Sequence, residues 1–263
     1  MKNPTPILLA IGVLTFTNCD TLKQTAGQMA TDAINQQMGG GNTTSKPILS
    51  KDEAIKGLKE ALLVGVNKGT DRLGAVGAFA KNPSYKIPLP PDVQAVEQKI
   101  RDNRILNKLI GGELDKVVDA MNTGAENSMK TAVPIFKKAV TEMSFQDAMG
   151  ILTGGEGAAT DYLRKTTESD LQGAFKPEVK KALDGVSLTK IWNPVVTQIN
   201  KNKRILGLDN DIQTDLNQYV TEKATTALFQ EVEKEENNIR KDPVTRTTEI
   251  LKKAFNYADQ QRK

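Results

Sequence analysis

Two groups of residues in this chain have the types and spacing to do chemistry. The first is a thiol: Cys19 is the only cysteine. It follows a positive Lys2 and an apolar run from Ile7 to Phe16, the layout of a bacterial lipoprotein signal, in which the cysteine is lipidated and becomes the first residue of the mature chain. The second is a set of carboxylates, Glu126, Glu142, Asp147, Glu156 and Asp161. Two of these in one cleft, about 5–9.5 Å apart, could serve as the acid and base of a hydrolase. The same oxygens could hold calcium or magnesium. With Thr160 and Arg164, the carboxylates Glu126, Asp147, Glu156 and Asp161 make up the candidate binding residues. No catalytic residue, metal or cofactor is assigned.

Each group has a plainer reading. Phe16 and Asn18 stand where lipoprotein signals favour leucine and a small residue. Thr17 and Asn18 suit an ordinary signal peptidase no better. The apolar run is about half the ~20 residues a spanning helix needs. Carboxylates on a helical surface are usually solvated. The glycine-rich run Gly154 to Asp161 lacks the Gly-Lys-Ser/Thr ending of a phosphate loop and follows a helix, not a strand. Glycines there let two helices cross closely, and Glu156 and Asp161 complement the positive end of a helix. Arg164 lies three residues after Asp161, the spacing of a helix-surface pair.

Absences narrow the chemistry. The chain has no histidine, which removes Ser-His-Asp and Cys-His catalysis and histidine-ligated metals. One cysteine allows no internal disulfide and no thiolate zinc site. The formal charge of +4 is small and its signs are interspersed, so nucleic acid is not an expected partner. The densest basic cluster, Lys201, Lys203 and Arg204, reads as a solvated helix end. No loop of the D-x-D-x-D-G type is present.

The elements that must position these groups are helical. Aromatics are 5% of residues, so a core must come from Leu, Ile, Val, Ala and Met. Residues 1–18 read as the signal, 19–49 as a lipidated N-terminus and tether, and 50–263 as the helical domain. Within the tether, 20–38 have a loosely one-sided apolar pattern and Gly39 to Ser45 form a flexible linker. Ser50 with Glu53 spells a capping box, followed by Ile55, Leu58, Leu62 and Val66 at helical spacing. Residues 82–91 are too proline-rich for a helix, and Pro91 can open the next one. From Leu114 to Met143 one apolar stripe runs through Pro134, which should kink or break the helix. Ser144 starts another helix, with Asp147 at the capping position, and Gly154 or Gly155 ends it. Further helices are expected near 156–167, 177–185, 188–200, 213–240 and 243–258, with Asp242-Pro243 as a stop and restart. No stretch alternates as a strand would. The predicted fold is all-α, an irregular multi-helix bundle. The string Asn103–Leu106 is similar to Lys203–Leu206, and a long amphipathic helix follows each.

Four strings together carry a family resemblance: Met129–Asp147 (MKTAVPIFKKAVTEMSFQD), Ile151–Thr167 (ILTGGEGAATDYLRKTT), Leu216–Phe229 (LNQYVTEKATTALF) and Glu235–Pro243 (EENNIRKDP). The chain resembles the bacterial family DUF4197 over most of its length after residue 50. The resemblance implies a helical fold and, in many members, an export or lipoprotein signal. It implies no chemistry, because function is unassigned in the family.

The expected function is that of a lipid-anchored lipoprotein of the bacterial envelope, on the periplasmic or outer-membrane side. Its helical body would bind an envelope protein and should show a contiguous exposed apolar patch. An amphiphile held between methionine-rich faces (Met121, Met129, Met143, Met149) is the alternative, and calls for a closed cavity of a few hundred Å3. A carboxylate hydrolase is the third reading.

Overall fold

A computed structural model of the chain describes residues 50–261, apart from 187, 202, 207–210, 212–214 and 247. The expected signal, Cys19 and the tether up to residue 49 lie outside the described residues. Those described fall in one compact unit, Leu49–Lys263, and they are helical with no strand among them.

The first helix, α1 (Lys51–Leu73), opens with the predicted capping box. Ser50 Oγ accepts from the Glu53 amide at 3.2 Å, and Glu53 Oε2 accepts from the Ser50 amide at 3.0 Å. The Ser50 amide, and then the Ser50 hydroxyl, donate to the Glu53 carboxylate and hold it below its ordinary pKa. A loop over 74–90 follows, then α2 (Pro91–Asp102), with Pro91 at its first position. The short α3 (Arg104–Leu106) and a π-helical turn, Asn107–Gly111, lead into α4 (Gly112–Ser128).

The long apolar stripe is real: Leu114, Val117, Met121, Ala125, Met129, Ala132, Phe136, Val140 and Met143 are all buried. The break near Pro134 falls a turn upstream. A 3-10 turn, Met129–Thr131, separates α4 from α5 (Ala132–Glu142). Pro134 thereby sits in the first turn of α5, where its missing N–H would have had no helical partner.

Ser144 caps α6 (Phe145–Thr153), and Gly154 closes it. The helices expected at 156–167 and 177–185 are one, α7 (Ala158–Gly185), which runs through Pro177. Proline at 177 deprives the Gly173 carbonyl of its helical donor. Both residues are exposed, so solvent can take that acceptor. Phe175, Val179 and Leu183 keep the inner stripe buried across the interruption.

The remainder comprises α8 (Leu188–Lys201), α9 (Lys203–Leu206), α10 (Leu216–Lys241), a 3-10 turn at Pro243–Thr245 and α11 (Glu249–Gln261). Asp242 stops α10 and caps that turn, as its sequence predicts. The two similar strings form α3 and α9, each between an amphipathic helix and a long core helix. Lys203 of the basic cluster pairs with Asp211 at 2.7 Å.

Two long helices organise the bundle. α7 packs on α4, α5 and α10, while α1 packs on α10, α11, α5 and α6. Small residues let α1 approach its neighbours. A Cβ on Gly57 would lie 2.7 Å from both Ala254 Cβ and the Ile250 carbonyl oxygen of α11. Gly57→Ala should therefore force α1 and α11 apart and cost about 1–3 kcal/mol of stability, measured by urea denaturation.

Candidate functional site: an ion-pair seam along α10

The sequence of α10 from Glu231 to Arg240 (EVEKEENNIR) looks like a solvated face. Its packing makes it otherwise. Glu231, Glu235, Glu236 and Arg240 are all buried, at spacings that put them on the side facing α1 and the α6–α7 junction. Gly65 and Gly69 of α1 face them: a Cβ on each would stand 3.7 Å from Glu235 Cβ and 3.6 Å from Glu231 Cγ, ordinary contact distances.

At the inner end of this seam, Glu236 and Arg240 form a buried ion pair of 2.7 Å. Glu236 also accepts from the Ala159 and Thr160 amides, each at 2.9 Å, and from Thr160 Oγ1 at 2.8 Å. These are the free donors of the first turn of α7, the positive end of its dipole. Arg240 reaches the other way. Its Nη2 donates to the Ile151 carbonyl at 2.9 Å and its Nη1 to that of Gly154 at 3.3 Å, at the negative end of α6. One ion pair thus ties the end of α6 and the start of α7 to α10. The glycine-rich run predicted as a close crossing is that junction, and its anion is the chain's own Glu236.

Arg246 repeats the device. It is buried, donating from Nε to the Ile239 carbonyl at 3.1 Å and from Nη2 to that of Arg240 at 2.9 Å, which closes the C-terminus of α10. Phe255 lies under both guanidinium groups, 5.9 Å from Arg240 and 5.2 Å from Arg246.

At the outer end, Arg72 of α1 pairs with Glu231 and, at 2.8 Å, with Glu235. The Tyr85 hydroxyl donates to Glu231. Tyr85 is held there by α4, which pins the 74–90 loop. Glu126 Oε1 accepts from the Phe79 amide at 3.1 Å, and Asn122 bonds both the amide and carbonyl of Ile87, at 2.9 and 3.0 Å.

The predicted binding residues are not gathered in one place. Thr160 joins the seam, and Glu126 is buried under the 74–90 loop. Glu156 is exposed and pairs with Lys241 at 3.0 Å. Asp147 is exposed and caps α6 through Ser144. Asp161 is exposed in the first turn of α7. The Arg164 guanidinium lies over the Phe229 ring, 4.4 Å from its centre, rather than against Asp161. Tyr162 has its pKa raised, chiefly by burial and then by the negative Asp147 and Glu142. None of the five candidate carboxylates lines a described cleft. The seam residues Glu231, Glu235, Glu236 and Arg240 were missed; the small residues recurring along α1 were the available signal.

Space for a ligand is found at the surface. The void under Arg240, between α1, α10 and α11, is about 20 Å3, enough for one water. Met121, Met129 and Met143 are buried in the core and Met149 packs against it. An open groove of about 680 Å3 runs between α4 and α7, lined by polar and charged residues including Lys116, Asp119, Lys130 and Glu178. The exposed large apolar residues Val76, Ile105, Phe145 and Val244 stand on separate elements, which is ordinary for a protein surface.

These features define an all-α body braced internally by a buried ion pair, Glu236 with Arg240. A family model described as a protein of unknown function, DUF4197, matches residues 48–256, and the chain belongs to that family. No curated protein and no solved structure matches the chain.

Proposed function

We propose that this chain is a lipid-tethered binding module of the bacterial cell envelope, held at a membrane through Cys19, whose helical body binds its partner at the surface. The observation that carries the tether is the order Lys2, Ile7 to Phe16, Cys19. Among the described residues no helix is long and apolar enough to cross a membrane. For the body, surface recognition is supported by the contrast between a small void of about 20 Å3 and an open groove of about 680 Å3. The buried carboxylates Glu126 and Glu236 hold backbone amides in place, which suits a structural role. The groove sets Lys116, Lys130, Asp119 and Glu178 beside apolar Ala120, Ala182 and Val186, and the partner it suits is a protein face of mixed polarity.

The test is the intact mass and membrane fractionation of natively expressed wild type and Cys19→Ala. Wild type should lose residues 1–18, gain acyl mass and sediment with membranes. Cys19→Ala should lose the acyl mass and the membrane association. An unprocessed or unacylated wild type would overturn the tether.

A further inference from the structure

The seam that braces the bundle reaches the surface at Arg72, and there its charges do not cancel. Between the end of α1, the 74–90 loop and α10 lies an open cleft of about 370 Å3. Its lining includes Arg72, Lys81, Tyr85, Glu231 and Lys234. Glu231 is fully buried and already engaged by Arg72 and Tyr85. Lys234 only approaches it, at 4.0 Å. Glu235 takes a second N–H of Arg72. That guanidinium has five N–H donors and the side chain is 49% exposed, so donors remain on its open side. Among the described residues Lys81 has no ion-pair partner. Three cations therefore converge on a cleft whose lining includes one carboxylate, which faces the seam.

The cleft is also shaped to hold Lys81. Gly77 has φ +81, a conformation L side chains rarely adopt, and Lys81 folds back across it. The Lys81 amide donates to the Gly77 carbonyl at 3.0 Å. A Cβ on Gly77 would lie 2.9 Å from Lys81 Cε and 3.3 Å from Nζ. The missing side chain is the space the lysine occupies.

We propose that this cleft binds a phosphoryl anion, with Lys81, Lys234 and Arg72 as its cations and Arg72 oriented by two glutamates. A phosphate monoester carries about −1.5 to −2 charge at neutral pH and accepts the planar fork of arginine well. The volume exceeds what one phosphoryl group fills, leaving space for the group that bears it. This site does not depend on the tether at Cys19. Its ligand is either a soluble phosphate ester or the headgroup of an anionic phospholipid, and the experiment separates the two.

The full-length Cys19→Ala chain is used, so that no acyl group holds it to vesicles. It is titrated with glycerol 3-phosphate by calorimetry. It is also sedimented with phosphatidylcholine vesicles, with and without phosphatidylglycerol. Lys81→Gln and Lys234→Gln are compared in both assays, with a thermal melt to confirm folding; both positions are exposed. Saturable ester binding that weakens about tenfold in either variant, without vesicle binding, supports a soluble ester. Phosphatidylglycerol-dependent sedimentation lost in the same variants supports a headgroup. The site is overturned if no ester binding is seen up to about 10 mM and sedimentation shows no such dependence. Binding that is unchanged in both variants overturns it as well.

Discussion

Arg240→Ala should destabilise the fold by about 3–5 kcal/mol, the cost of leaving one partner of a buried pair uncompensated. Glu236 would be left among Ala159, Thr160 and the apolar wall of the seam, without the guanidinium 2.7 Å away. The Ile151 and Gly154 carbonyls would lose the donors that Arg240 supplies. Urea denaturation should show a lower midpoint with an unchanged slope, since little surface is newly exposed in the native state. A double-mutant cycle with Glu236→Leu gives the decisive arm. Glu236→Leu/Arg240→Ala should cost less than the sum of the two single losses, by about 0.5–3 kcal/mol, because the second change removes the partner the first had stranded. Simple additivity would mean that the two act independently and that the junction is held by packing alone.

Phe229→Ala is the second large effect, expected at about 3–5 kcal/mol. Phe229 is fully buried on α10 and meets Phe136 of α5 edge-on, with ring centres 5.9 Å apart. It also supports Arg164 of α7. One ring thus joins three helices, and truncation leaves a cavity at their junction. Arg164→Ala removes only the cation above the ring and should cost about 0.5–1 kcal/mol. Comparable losses from the two substitutions would place the main contribution in the guanidinium rather than the ring, contrary to the packing argument. Thermal melts of the two variants in parallel decide it.

Much of the framework was legible because its signals are local. Ser50 and Glu53 sit three residues apart, and their reciprocal bonds need only the first turn of α1. Ser144 and Asp147 do the same for α6, and Pro91 starts α2 as its fixed φ allows. The stripe from Leu114 to Met143 is buried as its period requires. Pro177 is the instructive exception. Proline interrupts a helix by local sterics, yet α7 continues through it because Phe175, Val179 and Leu183 bury on both sides of the interruption. That gain comes from α4 and α10, which no local window contains.

The candidate site divides along the same line. Thr160, in the glycine-rich run and a candidate binding residue from the sequence, lies at the helix junction, where its hydroxyl donates to Glu236. Its partner, Glu236, is in a string whose charges read as solvated. Whether a carboxylate is buried depends on what faces it, and here α1 packs over it from far away in the chain. The amino-acid order by itself determined the helical class, the caps and stops, the core stripe and the family, because each follows from backbone and side-chain geometry within a few turns. Tertiary structure alone decided which charges are buried, which helix ends they close, and where three cations meet in an open cleft. Those are properties of faces brought together across the chain, and Coulomb and desolvation energies depend on that distance and enclosure rather than on sequence spacing.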